Sequence, residues 1–127
     1  MKYYIGTKII QAEPQEKDGQ EGYKVKYLDG YESWSPKDVF EEAYSVFGSE
    51  MTFAEALFLL RQEPNSVAHR KVWGGKQVIT VGIVHGRDVL VLHTYGEQEK
   101  MYLNFTVGNT DLLAEDWNVE IPQIQQA

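Results

Sequence analysis

Residues 77–95 set two apolar, β-branched runs, Gln-Val-Ile-Thr-Val-Gly-Ile-Val and Asp-Val-Leu-Val-Leu-His-Thr-Tyr, on either side of His85-Gly86-Arg87. No other stretch restricts the fold as much. Val, Ile and Thr favour extended backbone, and so short a break between two such runs makes them pair antiparallel. With Gly86-Arg87 as a two-residue turn, His85 stands opposite Asp88, and side-chain alternation sorts the hairpin into two faces. Ile79, Val81, Ile83, Leu90 and Leu92 share the face expected to form the core. Val78, Thr80, Gly82, Val84, Val89, Val91 and His93 share the other, which is too apolar for open water and calls for a cover, either the N-terminal part of the chain or another subunit.

Around this hairpin the pattern predicts further strands at 66–71, 99–105 and 117–121, giving an antiparallel meander. One helix should pack on it. Thr52 and Glu55 have the spacing of a capping box, Phe53, Ala56, Leu57 and Leu60 fall on one helical stripe read as core, and Pro64-Asn65 ends the segment. Upstream, 2–12 favours a strand and 13–22, with Pro14, Gly19 and its charged side chains, a solvated loop. Runs 23–28 and 31–34 flank Asp29-Gly30, the pair that suits a type I′ hairpin turn, in which both central residues take positive φ. Ser35-Pro36-Lys37-Asp38 then looks like a capped helix start, with the helix running to Tyr44 and a linker at 45–50. The expected class is α+β: a small β-hairpin plus helix module over 1–46, an antiparallel sheet packed with one helix over 51–121, and a tail at 122–127.

Composition removes several functions. The chain of 127 residues has no cysteine, which excludes disulfides, thiolate catalysis and sulfur-ligated zinc. A formal charge of −7 argues against general nucleic-acid binding, because phosphate-backbone affinity needs many cations. No apolar stretch is long enough for a membrane span, and 1–6 lacks the apolar core of a signal peptide, so a cytoplasmic location is expected. His85 and His93 point to opposite faces in the expected register, which argues against a metal site shared by them with His69. The carboxylate pairs Glu41-Glu42, Glu97/Glu99 and Glu115-Asp116 read as solvated, and no nucleophile elbow or phosphate loop is present.

One cluster remains. Arg70-Lys71-Val72-Trp73-Gly74-Gly75-Lys76 sets an aromatic ring beside cations on a turn where two glycines let a ligand approach the backbone. Stacking on a base while neutralising phosphate would use these residue types. A tryptophan at such a turn also serves as a core or edge residue.

Together with this cluster, Met51-Thr52-Phe53-Ala54-Glu55-Ala56-Leu57 and the run Thr110-Asp111-Leu112-Leu113-Ala114-Glu115-Asp116-Trp117 give the chain a second kind of signature. It resembles the phage Thoeris anti-defence two-like family, small proteins that sequester nucleotide second messengers. The likeness covers about 51–119, with an accessory module ahead of it. Two stretches depart from the family pattern: Val72 and Gly74 replace a glycine and an asparagine around Trp73, and Phe105, Val107 and Gly108 stand where Trp, Pro and Ser are common. The resemblance implies a sponge and no enzyme, working without cofactor or metal. It implies a homo-oligomer, a tetramer in family members, whose pockets between subunits hold a cyclic ADP-ribose isomer or a cyclic dinucleotide intact. It places Trp73 on a base, Arg70 and Lys76 on phosphate, and Asn109 and Asp111 on ribose or base. For Asp111 a helix-capping role, shared as an alternative with Thr110, stands beside the ligand role. The competing function is a non-catalytic protein–protein interaction module that uses the N-terminal hairpin and its aromatics.

Overall fold

The central hairpin forms, with its turn one residue earlier than expected. In the computed structural model, which describes residues 1–48 and 50–122, Val84 pairs with Arg87, so His85 and Gly86 make the turn and His85 does not oppose Asp88. Both turn residues have positive φ, 51° and 75°, as a type I′ turn requires. This changes the pairing by two positions, an even number, and leaves each side chain on its expected face.

The fold is α+β. The chain divides into two units, Met1–Ser45 and Val46–Ala127. The first holds an antiparallel sheet in the order β1 (Gln11–Pro14), β2 (Gly22–Lys26), β3 (Glu32–Pro36), followed by α1 (Lys37–Ala43). The strand expected at 2–12 begins only at Gln11, and the expected loop at 13–22 is mostly a second hairpin. Its turn is closed by Lys17 and Gln20, with Asp18 and Gly19 at φ 52° and 81°. The Asp29-Gly30 turn also differs. Only Gly30 takes positive φ, 92°, while the Gly30 amide bonds to Tyr27 O and the Tyr31 amide to the Asp29 carboxylate. That is a type I turn followed by a bulge glycine, a three-residue loop, so Tyr27 faces Tyr31 and the register moves by one residue. Gly22 is required for packing: a Cβ there would collide with the Trp34 ring and the Ser35 carbonyl. Helix α1 starts after Pro36, which is its N-cap, and Ser35 makes no cap bond. The first helical amide instead donates to Glu21 O at 3.1 Å. Tyr23 stacks on Phe40 at 4.1 Å and donates its hydroxyl to Glu41 at 2.7 Å.

The second unit is a five-stranded antiparallel sheet, β4 (Val67–Arg70), β5 (Gln77–Val84), β6 (Arg87–Thr94), β7 (Lys100–Tyr102) and β8 (Trp117–Glu120). Its order is β7-β6-β5-β4-β8, so the meander covers four strands and the last returns to the far edge beside β4. Helix α2 (Phe53–Gln62) carries the expected capping box in full: the Glu55 amide donates to Thr52 Oγ1 at 3.2 Å and the Thr52 amide to Glu55 Oε1 at 2.9 Å. Its buried residues are Ala56, Leu59 and Leu60, whereas Phe53 and Leu57 are half-buried, so the stripe is rotated toward Leu59. A helix of this length spans about 15 Å, and α2 lies over β8, β4 and β5. Beneath it Ala68, Ile79, Trp117 and Val119 are fully buried. Farther along the hairpin, where α2 reaches only through Arg61, which donates to Asp88 at 3.1 Å, Val81 and Leu90 are half-buried and Ile83, expected in the core, is 73 % exposed. On the other face Val91 is buried and Val78, Thr80, Gly82, Val84, Val89 and His93 are half-buried. Of the segment expected as a linker, Gly48 accepts from the Val119 amide and Met51 exchanges both backbone hydrogen bonds with Trp117, so its end runs along β8. Ser49, and the expected tail beyond Pro122, lie outside the described residues.

Candidate functional site

Strand β4 ends at Arg70, and the chain turns through a single 3₁₀ turn, Lys71–Trp73. Gly74 and Gly75 follow at φ 62° and 77°, two successive left-handed residues that glycine takes without strain. The Gly74 amide bonds to Lys71 O and the Lys76 amide to Trp73 O, which fixes the turn before β5 begins. Across the sheet edge, β4 pairs with β8 so that Arg70 sits opposite Trp117. Helix α3 (Asn109–Leu112), a single turn capped by Gly108 with no side-chain bond, lies just before β8. Neither Thr110 nor Asp111 caps it, because both already lie inside the turn.

Two segments far apart in sequence, the end of β4 and the run 111–116, therefore meet at one guanidinium. Arg70 donates from Nη1 to Asp111 Oδ1 at 2.8 Å, from Nε to Asp116 Oδ1 at 2.8 Å and from Nη2 to Asp116 Oδ2 at 3.3 Å. The pair with Asp116 is bidentate, the arrangement that suits a planar guanidinium best. Donation to Asp116 and then to Asp111 holds the Arg70 proton more firmly than usual, and the bond from Arg70 keeps the Asp116 carboxyl below its ordinary range despite partial burial. Three of the five guanidinium donors are thus engaged, which leaves two for another acceptor. Two carboxylates against one cation give the trio a net charge of about −1 at neutral pH.

The indoles complete the cluster. Trp117 is fully buried and donates its ring N–H to Asp111 O at 2.8 Å. Phe53 packs on it at 5.1 Å and Trp73 meets it at 5.3 Å with an interplanar angle of 81°, an edge-to-face contact. Trp73 is half-buried, so one ring covers the core and still reaches the surface.

Of the residues singled out in the sequence, Arg70, Trp73 and Asp111 come together. Lys76 and Asn109 are exposed on the two flanking segments, and neither forms an ion pair or side-chain hydrogen bond among the described residues. Lys71 is exposed beside them. The guanidinium expected to meet phosphate is mostly committed to carboxylates, and Asp116, read as solvated, is one of them. Sequence reasoning missed Asp116 because its partner lies 46 positions away, across a β4–β8 pairing that no local pattern reveals. A carboxyl held ionised in this way is a structural anion and no general acid.

The histidines are separate. His69 is 3.7 Å from Glu120, His93 shares a 2.9 Å hydrogen bond with Thr80 Oγ1, and His85 occupies the turn. Among the described residues no group of His, Asp and Glu is arranged to hold a metal ion, and no helix is long and apolar enough to cross a membrane. Comparison with protein-family models, with curated proteins and with solved structures gives no match.

Proposed function

We propose that this protein binds a cyclic nucleotide second messenger, a cyclic ADP-ribose isomer or a cyclic dinucleotide, and sequesters it uncleaved, as an anti-defence protein acting against Thoeris or CBASS immunity in the host bacterial cytoplasm. The observation that supports the reading is the convergence of Arg70 and Trp73 from one segment with Asp111 from another, with Lys71, Lys76 and Asn109 exposed on the same two segments. A half-exposed indole offers a stacking surface, the lysines offer mobile cations for phosphate, and two Arg70 donors supply directed hydrogen bonds. The departures from the family pattern fit one scaffold. Gly74 stands in the left-handed conformation that asparagine also tolerates, and Gly108 occupies the N-cap that serine favours. In this reading the carboxylates beside Arg70 orient it and do no chemistry, and a pocket shared between copies of the chain encloses the ligand.

The test is to mix the protein with a panel of cyclic ADP-ribose isomers and cyclic dinucleotides, remove unbound ligand, and release the rest by heating. Recovery of an unchanged nucleotide is expected; recovery of a cleaved one would place the protein among phosphodiesterases. Trp73→Ala should weaken the best ligand by about 1–3 kcal/mol, the usual worth of one stacked base. A thermal melt must accompany it, since Trp73 also covers Trp117. The second reading, a protein–protein interaction module, draws on Leu28 and Tyr31 at the tip of the β2–β3 hairpin, 83 % and 65 % exposed. Native mass spectrometry separates the two, because only the sponge takes up a nucleotide-sized mass from the panel.

A further inference from the structure

The chain ahead of β1 contains strand-forming residues that pair with no strand among the described residues. Tyr3, Tyr4 and Ile5 are 104, 90 and 101 % exposed, the values of side chains without neighbours. From Lys8 onward the chain is held: Lys8 Nζ lies 4.6 Å from the Tyr27 ring centroid, and Ile9 and Ile10 are half-buried. Beside this free segment lies an open edge. Among the described residues strand β1 pairs with β2 on one side only, and all four of its residues are exposed. An unpaired edge and an unpaired strand former in one molecule are complementary, because each lacks the backbone partner that the other provides.

The segment does not turn back on its own β1. A tight hairpin would need residues with positive φ between 6 and 9, and none of those residues has it. We propose that residues 1–7 of one copy lie antiparallel along the outer edge of β1 of a second copy, and that the second copy does the same in return. Such an exchange is isologous, so one contact surface is formed twice about a twofold axis. Charge favours it. Residues 1–12 contain Lys2 and Lys8 and no acid, whereas the receiving hairpin, 11–26, is slightly acidic, with Glu13, Glu16, Asp18 and Glu21 against Lys17, Lys24 and Lys26. With Ile5 opposite Ile10 of the second copy, Tyr3 faces Ala12 and Lys2 faces Glu13, which pairs apolar with apolar and cation with anion.

Light scattering and native mass spectrometry of the full chain at micromolar concentration test the exchange. The triple substitution Tyr3→Ser, Tyr4→Ser, Ile5→Ser touches only exposed side chains, so it should leave the far-ultraviolet circular dichroism unchanged and halve the mass of the assembly. An unchanged mass, or a full chain that is already monomeric, would overturn the proposal. Because the chain has no cysteine, a second experiment reads the contact directly. Tyr3→Cys protein mixed with Ala12→Cys protein should give a disulfide-linked heterodimer on oxidation, and failure to trap one would also overturn it. Neither experiment depends on a ligand.

Discussion

Arg70 is the residue on which the second unit's edge depends, and its environment predicts a pH response. The Asp116 carboxyl is lowered from its ordinary 3.8, chiefly by the hydrogen bond from Arg70. A carboxyl depressed on folding stabilises the fold above its unfolded pKa, and that contribution is lost as pH falls through the lower folded value. The clamp should therefore be complete at neutral pH and fail only in acid, below 3.8. Asp116→Asn should be less stable than wild type at neutral pH, and urea midpoints of the two should converge as the solution is acidified. Parallel curves would remove Asp116 from the acid response. Trp117→Ala is the larger change, since it empties a fully buried site and strands the Asp111 carbonyl; a loss of about 3–5 kcal/mol is expected from chemical denaturation. Glycine 108 allows an opposite experiment. A Cβ there meets nothing within 4 Å, so Gly108→Ser can supply the missing cap to α3, with a gain of a few tenths of a kcal/mol seen as a small rise in melting temperature.

At the scale of elements, α2 was the most legible segment because its signals are local. Thr52 and Glu55 lie three residues apart and make both cap bonds, and Thr52→Ala should cost about 1 kcal/mol in the same denaturation assay. The β5–β6 hairpin was legible in its faces, because the parity of side chains survives a two-residue error in pairing. Turn type was harder to read. Asp29-Gly30 closes a three-residue loop with a bulge, and Asp-Gly serves that loop as readily as a type I′ turn. The strand expected at 2–12, of which only Gln11 and Ala12 are in β1, shows another limit: β-propensity describes a residue's fit to a sheet, and it forms no strand where a partner is absent. The candidate site was legible in composition and illegible in pairing. Arg70 and Trp73 stand out by residue type and spacing and Asp111 only through the family-like run, while the capture of Arg70 by Asp116 depends on β8 lying beside β4, a long-range choice.

Across the whole molecule the two units differ in how much they bury. Among the described residues, Val25 is the buried hydrophobic side chain of Met1–Ser45, while the second unit buries Met51, Ile79, Trp117 and eight others. A module of that size with so small a core is marginal on its own. Hydrogen exchange should therefore be slowest at the amides of β5 and β4 and faster throughout β2 and β3. Equal protection of β2 and β5 would contradict that ordering.

The place of β8 between β4 and the backbone of Gly48 and Met51 also sets a timetable. Trp117 and Val119 are core residues of the sheet, yet they are translated after every other strand of their unit. While the ribosome is still making residue 110, α2 lacks the β8 part of its floor, with Trp117 and Val119, Arg70 has neither of its carboxylates, and Met51 has no backbone to pair with. The second unit must then wait for its last strand to emerge and close in one late step, whereas the first can assemble as soon as Tyr44 has left the exit tunnel.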